Sequence, residues 1–284
     1  MLFYSIFISL LSHFCLAGTI TDSTGKTVTI DNPQKIVTLS GNVTETVFAL
    51  GLGDQIVGVD ASSLYPEEAT KKSQVGYYRR VSAEGILSLG PDLVIATDAA
   101  GPPNVIEQIR SSGVPIAILS SAHTIKDAQT RIELIAKLLD KEKEGHILVW
   151  NMEDEMKQVI KHEAPPKVLF IYARGGGTQN VAGTDTSADA MISLAGGVNA
   201  VTDYSGYKPM NAEALIASSP DYILFTDRGL ESMGGVDEVV KMTGIAQTPA
   251  GKNKRIISVD DLILLGFGPR TAQGAVQLSQ KIHK

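Results

Sequence analysis

A repeat that links the two halves of the chain most strongly limits its possible fold. The segment SAEGILSLGPDLVIATD begins at Ser82 and NAEALIASSPDYILFTD begins at Asn211, a constant offset of 129 residues. Both copies carry an Ala-Glu pair, a Pro-Asp pair and a final Thr-Asp pair, and the apolar positions between them coincide. Each copy predicts a short helix, a turn and a buried strand. The repeat therefore predicts two lobes that share this unit.

Strands and helices alternate in both halves. In the first half we predict strands at residues 36–39, 56–59, 93–96 and 115–119, and helices near 44–50 and 105–111. In the second half we predict strands at residues 167–172, 222–225 and 255–257, and helices at 187–194 and after Asn211. Apolar strands without alternation suit a parallel sheet covered on both faces. The predicted fold class is α/β, with two Rossmann-like lobes, each a mainly parallel sheet flanked by helices.

Residues 124–163 connect the two halves, and their pattern is helical. Their apolar residues recur at helical spacing: Ile132, Ile135, Leu138 and Leu139. A break is expected at Gly145, and residues 146–162, which contain no Gly or Pro, predict one continuous helix. We therefore predict an N-terminal lobe of residues 18–123 and a C-terminal lobe of residues 164–284. One long rigid helix joins them, and a ligand cleft lies between them.

The N-terminal segment MLFYSIFISLLSHFCLA is almost wholly apolar and ends in Ala17 before Gly18. It is too short to span a bilayer comfortably. We predict a cleavable signal peptide over residues 1–17, although no Lys or Arg precedes the apolar run. A buried N-terminal strand is the alternative. Cys15 is the single cysteine, so the cleaved protein has no disulfide and no thiolate metal site. It is expected to be soluble and exported.

Composition and motifs exclude several functions. The formal net charge is −6 and no long basic run occurs, so nucleic acid is not an expected partner. The chain lacks GxGxxG, a P-loop lysine and a GxSxG elbow. No pair of histidines has the spacing of a zinc site. We therefore predict that the protein is not an enzyme, and that any anion site is built locally from a few arginines.

Two tyrosines and two arginines stand together just before the first copy of the repeat, over Tyr77–Arg80. Because ligands of open α/β sheets bind beyond the carboxyl ends of the strands, this loop is expected at the cleft, as are Arg174 and Arg228. Phenolate is a hard oxygen donor and an axial ligand of some haem irons. A guanidinium favours its ionisation and matches a carboxylate such as a haem propionate. Ordinary surface packing of these side chains is the alternative that the residues leave open.

The chain resembles the periplasmic haem-binding proteins of bacterial haem-import ABC transporters. These belong to the helical-backbone class of substrate-binding proteins, which also carries cobalamin and ferric siderophores. The resemblance covers nearly the whole mature chain and is carried by five segments: VTLSGNVTETVFALG, VGYYRRVSAEGILSLGPDLVI, AGTDTSADAMISLAGGVNA, NAEALIASSPDYILFTDRGLESMGG and LLGFGPR. It implies a periplasmic protein that binds ferric haem b between its lobes.

The resemblance also implies roles for residues of the cleft. Tyr77 matches the tyrosine that ligates haem iron, and Tyr78, at a variable position, ranks second. Arg79 matches an arginine that supports the ligand, and Arg228 matches one that contacts propionates. Arg174 stands where some relatives carry a histidine that helps to hold a second haem. One five-coordinate ferric haem is therefore the simpler expectation, with Arg174 as a further propionate contact.

Glu84 and Glu213, at equivalent positions of the repeat, match the paired glutamates that dock on arginines of the permease. The implied partners are haem and an inner-membrane ABC permease dimer with its ATPase, and the protein is expected to be a monomer. Two alternatives remain open. The same scaffold could carry cobalamin or a ferric siderophore, or it could be an enzyme that processes a metal cofactor.

Overall fold

The computed structural model describes residues 18–175, 177 and 179–284. The predicted signal peptide, residues 1–17, lies outside the described residues. Two α/β lobes with a cleft between them confirm the predicted fold class. No helix in the described part of the chain is both long and apolar enough to cross a membrane.

The N-terminal lobe contains a hairpin and a parallel sheet. Its strands are β1 (Gly18–Thr21), β2 (Thr27–Ile30), β3 (Ile36–Leu39), β4 (Ile56–Val59), β5 (Ser73–Gln74), β6 (Leu93–Thr97) and β7 (Ile116–Leu119). Its helices are α1 (Gly41–Ala49), α2 (Ala83–Leu87) and α3 (Pro103–Ser111). Strands β1 and β2 pair antiparallel, and the others form a parallel sheet in the order β5-β4-β3-β6-β7. Successive residues of β6 enter apolar clusters on opposite faces of the sheet, which explains its unbroken apolar run.

The C-terminal lobe is built on a mixed sheet. Its described strands are β8 (Lys167–Tyr172), β9 (Asn180–Ala182), β10 (Val198–Asn199), β11 (Tyr207–Pro209), β12 (Tyr222–Thr226) and β13 (Ile256–Val259). Its described helices are α6 (Ser187–Leu194), α7 (Ala212–Ser218), α8 (Asp227–Ser232), α9 (Val236–Val239), α10 (Pro249–Lys252), α11 (Asp261–Leu265) and α12 (Thr271–Ile282). The strand order in this sheet is β11-β9-β8-β12-β13, and β10 also pairs with β8. The pairs of β9 are antiparallel, and the other pairs are parallel.

The sequence repeat is a structural repeat. Strands β6 and β12 match end to end at the offset of 129 residues, and helices α2 and α7 begin at equivalent residues. Each helix is capped by a side chain at its N-terminus. The Ser82 hydroxyl accepts from the Gly85 N–H, and the Asn211 side-chain oxygen accepts from the Glu213 and Ala214 N–H groups. The Pro-Asp turns are also equivalent, because Asp92 accepts from the Lys35 N–H, just before β3, and Asp221 accepts from the Lys167 N–H, at the start of β8.

The connecting segment is a pair of helices rather than one long helix. Helix α4 (Ile125–Leu138) and helix α5 (Glu142–Met156) are joined by a turn in which Asp140 has a φ of 55°. They run antiparallel, because Gln129 bonds Glu153 near one end and Gly145 faces Ala136 near the other. The predicted break at Gly145 and the predicted helix over residues 146–162 are therefore wrong. Gly145 lies inside α5, where its missing side chain permits close packing.

Helix α4 nevertheless makes a rigid connection. Its first half contributes Ala128 and Ile132 to an apolar cluster of the C-terminal lobe. Its second half contributes Ile135 and Leu138 to a cluster of the N-terminal lobe. One helix is thus part of both hydrophobic cores, so the lobes cannot move far apart without disturbing buried packing.

Candidate ligand-binding cleft

A cleft of about 820 Å³ lies between the lobes. Its lining residues include several that closely follow the parallel strands at their carboxyl ends: Ser40, Ala61, Tyr77, Ala99 and Ser121 in the N-terminal lobe, and Arg174, Arg228 and Asp261 in the C-terminal lobe. This is where ligands of open α/β sheets bind. The volume lies within the range of about 300–1,000 Å³ that small-molecule and cofactor sites occupy.

The structure brings the predicted ligand-binding residues together. Tyr77, Tyr78, Arg79, Arg174 and Arg228 all line the cleft, the first three from the N-terminal lobe and the last two from the C-terminal lobe. The walls of the cleft therefore carry both phenols and arginines on both sides, because Tyr172 and Tyr207 also line the C-terminal wall. Their roles as iron ligand, ligand support and propionate contacts stay predictions.

The two adjacent tyrosines have different environments. Tyr77 is 45 % exposed, whereas Tyr78 is partly buried and packs against an apolar cluster of the N-terminal lobe. Their rings meet edge to face, with centroids 4.7 Å apart. Burial and the neighbouring Tyr77 raise the pKa of Tyr78 to about 12. Tyr78 is therefore a poor source of phenolate, and Tyr77 is the more exposed phenol of the pair.

Arg79 lies against the Tyr78 ring, with its guanidinium carbon 5.1 Å from the ring centroid. Its Nε–H donates to the Tyr78 hydroxyl at 3.1 Å, and its charge also acts on Tyr77. The guanidinium thus sits beside both phenols. This position suits the predicted support of a phenolate, because a nearby positive charge favours the ionised phenol.

Asp60 holds the cleft loops of the N-terminal lobe in place, and sequence reasoning did not identify it. Its fully buried carboxylate accepts from the backbone N–H groups of Ser40, Ser62 and Tyr78 at 3.0, 3.0 and 3.3 Å. One side chain therefore fixes the loops after β3 and β4 and the loop that carries Tyr77. The position of Asp60 directly after a buried strand was the available signal.

The C-terminal wall also combines phenols with arginines. The Arg174 guanidinium carbon lies 5.6 Å from the Tyr172 ring centroid, and the Tyr207 ring meets the Tyr172 ring edge to face at 6.3 Å. The Arg228 backbone N–H donates to the Asp261 carboxylate at 3.2 Å. Burial raises the pKa of Asp261, and the Arg228 N–H opposes the shift. Arg174 and Arg228 are both exposed, so their cations are accessible to a ligand anion.

Glu84 and Glu213 lie outside the cleft. Both are exposed, and each is the second residue of its helix, α2 or α7. Each carboxylate therefore stands near a helix N-terminus, where the helix dipole favours negative charge. The structure therefore presents Glu84 and Glu213 as an exposed pair, one on each lobe, at equivalent positions of the repeat.

A metal site built from protein side chains alone finds no support in the described residues. They contain no group of three or more His, Cys, Asp or Glu side chains that could hold a metal ion. His123 does line the cleft, although the sequence analysis assigned it no role. The signal that could have found it is its position shortly after strand β7, where the chain reaches the same edge of the sheet.

Comparison with known proteins identifies the class. A profile described as "Periplasmic binding protein" matches residues 36–262, so the chain belongs to the periplasmic binding protein family. The chain is 31% identical over 273 residues to an uncharacterized ABC transporter substrate-binding lipoprotein of Bacillus subtilis, covering 93% of this chain and 85% of that protein. It is 27% identical to a vitamin B12-binding protein of Vibrio parahaemolyticus, covering 87% and 88%.

A solved structure is more similar in sequence. The periplasmic heme-binding protein RhuT from Roseiflexus sp. RS-1, in apo form, is 46% identical and has a TM-score of 0.83, covering 88% of this chain and 98% of that one. The family consists of substrate-binding components of ABC transporters. Such proteins act outside the cytoplasmic membrane, in the periplasm or the extracellular space, and pass their ligand to a membrane permease.

Proposed function

We propose that this protein binds ferric haem in the cleft and delivers it to an inner-membrane ABC permease. The observation that carries the proposal is the exposed Tyr77 phenol, placed beside Arg79 in a cleft of suitable size. A phenolate oxygen is a suitable axial ligand for ferric haem iron. Both the Arg79 charge and the metal itself favour ionisation of the phenol.

The ends of the ligand would meet the arginines of the cleft. A haem carries two propionates, and an arginine binds a carboxylate with two parallel hydrogen bonds. Arg228 and Arg174 reach the cleft from the C-terminal lobe, opposite Tyr77. In this arrangement the N-terminal lobe ligates the iron, and the C-terminal lobe contributes arginine contacts to propionate. A single haem b satisfies these groups.

The relatives support haem over cobalamin. The similar solved structure at 46% identity is described as heme-binding, whereas the vitamin B12-binding relative is 27% identical. A corrinoid has no need of a phenolate, so it leaves Tyr77 and Arg79 unexplained. A cobalamin or a ferric siderophore on the same scaffold is the second candidate.

Delivery requires contact with the permease. We assign this contact to Glu84 and Glu213, because they are exposed, equivalent in the repeat and located one on each lobe. A dimeric permease with its ATPase offers two equivalent docking sites, and a pseudo-twofold protein matches them with one carboxylate each. The protein would act in the periplasm, as a monomer, after removal of residues 1–17.

An absorption titration of the mature protein with ferric haem tests the proposal. Wild type is expected to saturate at one haem and to show a phenolate-to-iron charge-transfer band. Tyr77→Phe removes only the hydroxyl, so it is expected to lose the band and to weaken binding by about tenfold or more, as for loss of a strong polar contact.

Tyr78→Phe is the matched control, because it removes the neighbouring hydroxyl whose raised pKa makes it a poor ligand. This variant is expected to keep the band. If Tyr77→Phe keeps the band, the iron ligand is misassigned. If wild type does not bind haem but binds cobalamin or a ferric siderophore, the second candidate replaces the first.

A further inference from the structure

The imidazole of His123 lines the cleft near Arg79, at the boundary between the lobes. His123, in the loop between β7 and α4, is exposed to the cleft. Its ring packs edge to face on Phe267 of the C-terminal lobe, with centroids 5.5 Å apart. Among the described residues, none forms a hydrogen bond with the His123 ring nitrogens. The imidazole is therefore held in place by an apolar contact while its polar atoms are available to a ligand.

A buried cation lies beside this histidine. Arg131 is 2 % exposed, and its guanidinium donates to the backbone carbonyls of Ser120 and Phe267, one in each lobe. No carboxylate of the described residues lies within ion-pair distance of it. Burial lowers the pKa of Arg131 to about 10, so the group is still charged at neutral pH. A buried charge that has only carbonyl partners leaves positive potential at this edge of the cleft.

The charges around His123 are mixed but favour the neutral imidazole. Burial, then Arg131 and then Arg79, lower the pKa of His123, while Asp127 and Asp98 oppose the shift. Of these carboxylates, Asp127 accepts from Thr124, and Asp98 accepts from the Ser121 N–H. On the C-terminal side, Arg270 follows Phe267 closely, and its charge is paired with Glu45. In the described part of the chain, no carboxylate is in ion-pair contact with Arg131 or Arg79, the positive groups near the imidazole.

We propose that His123, with Arg79 and Arg131 beside it, forms a carboxylate subsite for the bound ligand. The inference rests on the proposed function and adds a contact to it: His123 donates a hydrogen bond to one propionate of the porphyrin. The subsite distinguishes porphyrins that carry free carboxylates from porphyrins of the same shape that do not. It is built mainly by the N-terminal lobe, and is separate from the arginines Arg174 and Arg228 opposite.

This arrangement links binding to proton uptake. In the free protein the His123 pKa lies below its ordinary value, and a carboxylate placed beside the ring raises it again. The bound form therefore holds a proton that the free form lacks over the window between the two pKa values. Affinity for a carboxylate porphyrin is expected to increase as pH falls through that window. Iron ligation by the same imidazole would show the opposite dependence, because a protonated imidazole cannot bind a metal.

Binding of metal-free protoporphyrin and of its dimethyl ester, followed by porphyrin fluorescence, tests the subsite without any contribution from iron. Titrations are made at about pH 5.5 and about pH 8, on either side of the ordinary histidine pKa. His123→Ala is expected to weaken binding of the diacid about tenfold at the lower pH, as for loss of a hydrogen bond to a charged group. Binding of the ester and binding at the higher pH are expected to change less.

Two further variants show whether the effect comes from titration of the His123 side chain. His123→Gln keeps a hydrogen-bond donor without titrating, so it is expected to retain binding of the diacid while losing the pH dependence. His146→Ala is the control, because His146 is exposed on α5 and does not line the cleft.

Equal weakening of the diacid and the ester by His123→Ala would overturn the subsite, and so would an unchanged affinity. A parallel titration with ferric haem separates the two proposals. If wild type binds ferric haem through Tyr77 while His123→Ala has no effect on either porphyrin, only the carboxylate subsite fails. If wild type binds neither ferric haem nor protoporphyrin, the proposed function fails.

Discussion

At the residue scale, the lobes are joined by a buried ion pair at the edge of the cleft. The Glu45 carboxylate of α1 accepts from Arg270 Nε at 2.9 Å, from Nη2 at 3.0 Å and from its backbone N–H at 3.3 Å. The Arg270 guanidinium also lies 3.5 Å from the Tyr65 ring centroid. Burial raises the pKa of Glu45 even though Arg270 opposes the shift. The pairing therefore only partly offsets the desolvation of the carboxylate.

This balance predicts a contrast between two substitutions of Glu45. Glu45→Gln keeps the size and an acceptor for Arg270, and a raised pKa means that the negative charge adds little, so the free energy of unfolding should stay within about 1 kcal/mol of wild type. Glu45→Ala leaves a void and leaves the Arg270 cation with only its longer ion pair to Asp260, at 3.9 Å, so a loss of about 2–4 kcal/mol is expected. Urea unfolding at neutral pH measures both.

The contribution of Glu45 to the free energy of unfolding depends on pH with a defined sign. A carboxyl whose folded pKa is raised contributes its stability below the unfolded pKa and loses it as pH rises through the folded pKa. Wild type should therefore gain stability relative to Glu45→Gln as the solution is acidified. Glu67→Gln, which removes an exposed ion pair with Lys71, should change stability by less than about 0.5 kcal/mol. Equal losses in Glu45→Gln and Glu45→Ala would contradict this interpretation.

Local sequence predicted some residues of the site and not others. Tyr77 and Arg79 are adjacent in a loop before a capped helix, so a short stretch places them together. Glu45 and Arg270 are 225 residues apart, and their contact exists only once the lobes are docked. His123 belongs to the same group, because its importance depends on Arg131 and Phe267, which meet it through the fold. Contacts between lobes leave no periodic signal in the sequence.

At the element scale, prediction succeeded where burial is continuous. Strands β3, β4 and β8 and helix α6 have the predicted bounds, because unbroken apolar runs between turn signals mark buried parallel strands. The antiparallel strands β9 and β11 were missed, because each has three residues and little apolar pattern. The break between α4 and α5 was misplaced for a different reason: glycine marks both helix ends and close helix contacts.

The close contact at Gly145 gives a prediction about the helix pair. A Cβ atom at this position would lie 2.4 Å from the Ala136 Cβ atom, so Gly145→Ala forces α4 and α5 apart. In an exposed helix the same change would stabilise by about 0.5–1 kcal/mol. Here we expect a net loss of about 1–3 kcal/mol, the range for overpacking. Asn151→Ala, on the exposed side of α5, is the control. A gain in the Tm of Gly145→Ala would show that the helices separate at no cost.

At the scale of the whole molecule, several connections hold the lobes at one spacing. Asn42 Nδ2 donates to the Gly266 carbonyl at 2.7 Å, and Arg131 bonds a carbonyl in each lobe. Helix α4 is part of both cores. These contacts lie beside the cleft, so a change in the width of the cleft would disturb buried packing and hydrogen bonds. A rigid carrier binds with little rearrangement, but it must be opened from outside for its ligand to leave.

Under the proposed function, the permease would act on surfaces of both lobes, which leads to a prediction for Glu84 and Glu213. Replacing both with Lys is expected to leave the haem affinity of the isolated protein unchanged, because neither residue lines the cleft. The same variant is expected to reduce haem uptake by membrane vesicles that contain the permease by about tenfold or more, because like charges would face each other at both docking sites.

Glu142→Lys with Glu144→Lys is the matched control, since these carboxylates also lie in the first turn of a helix, and the net charge changes equally. Loss of uptake in both double variants would indicate a general charge effect, and loss of haem binding in the first would place Glu84 or Glu213 in the cleft mechanism instead. Loss of uptake in the first alone, with haem binding intact, is the result that a rigid carrier opened through its two lobes requires.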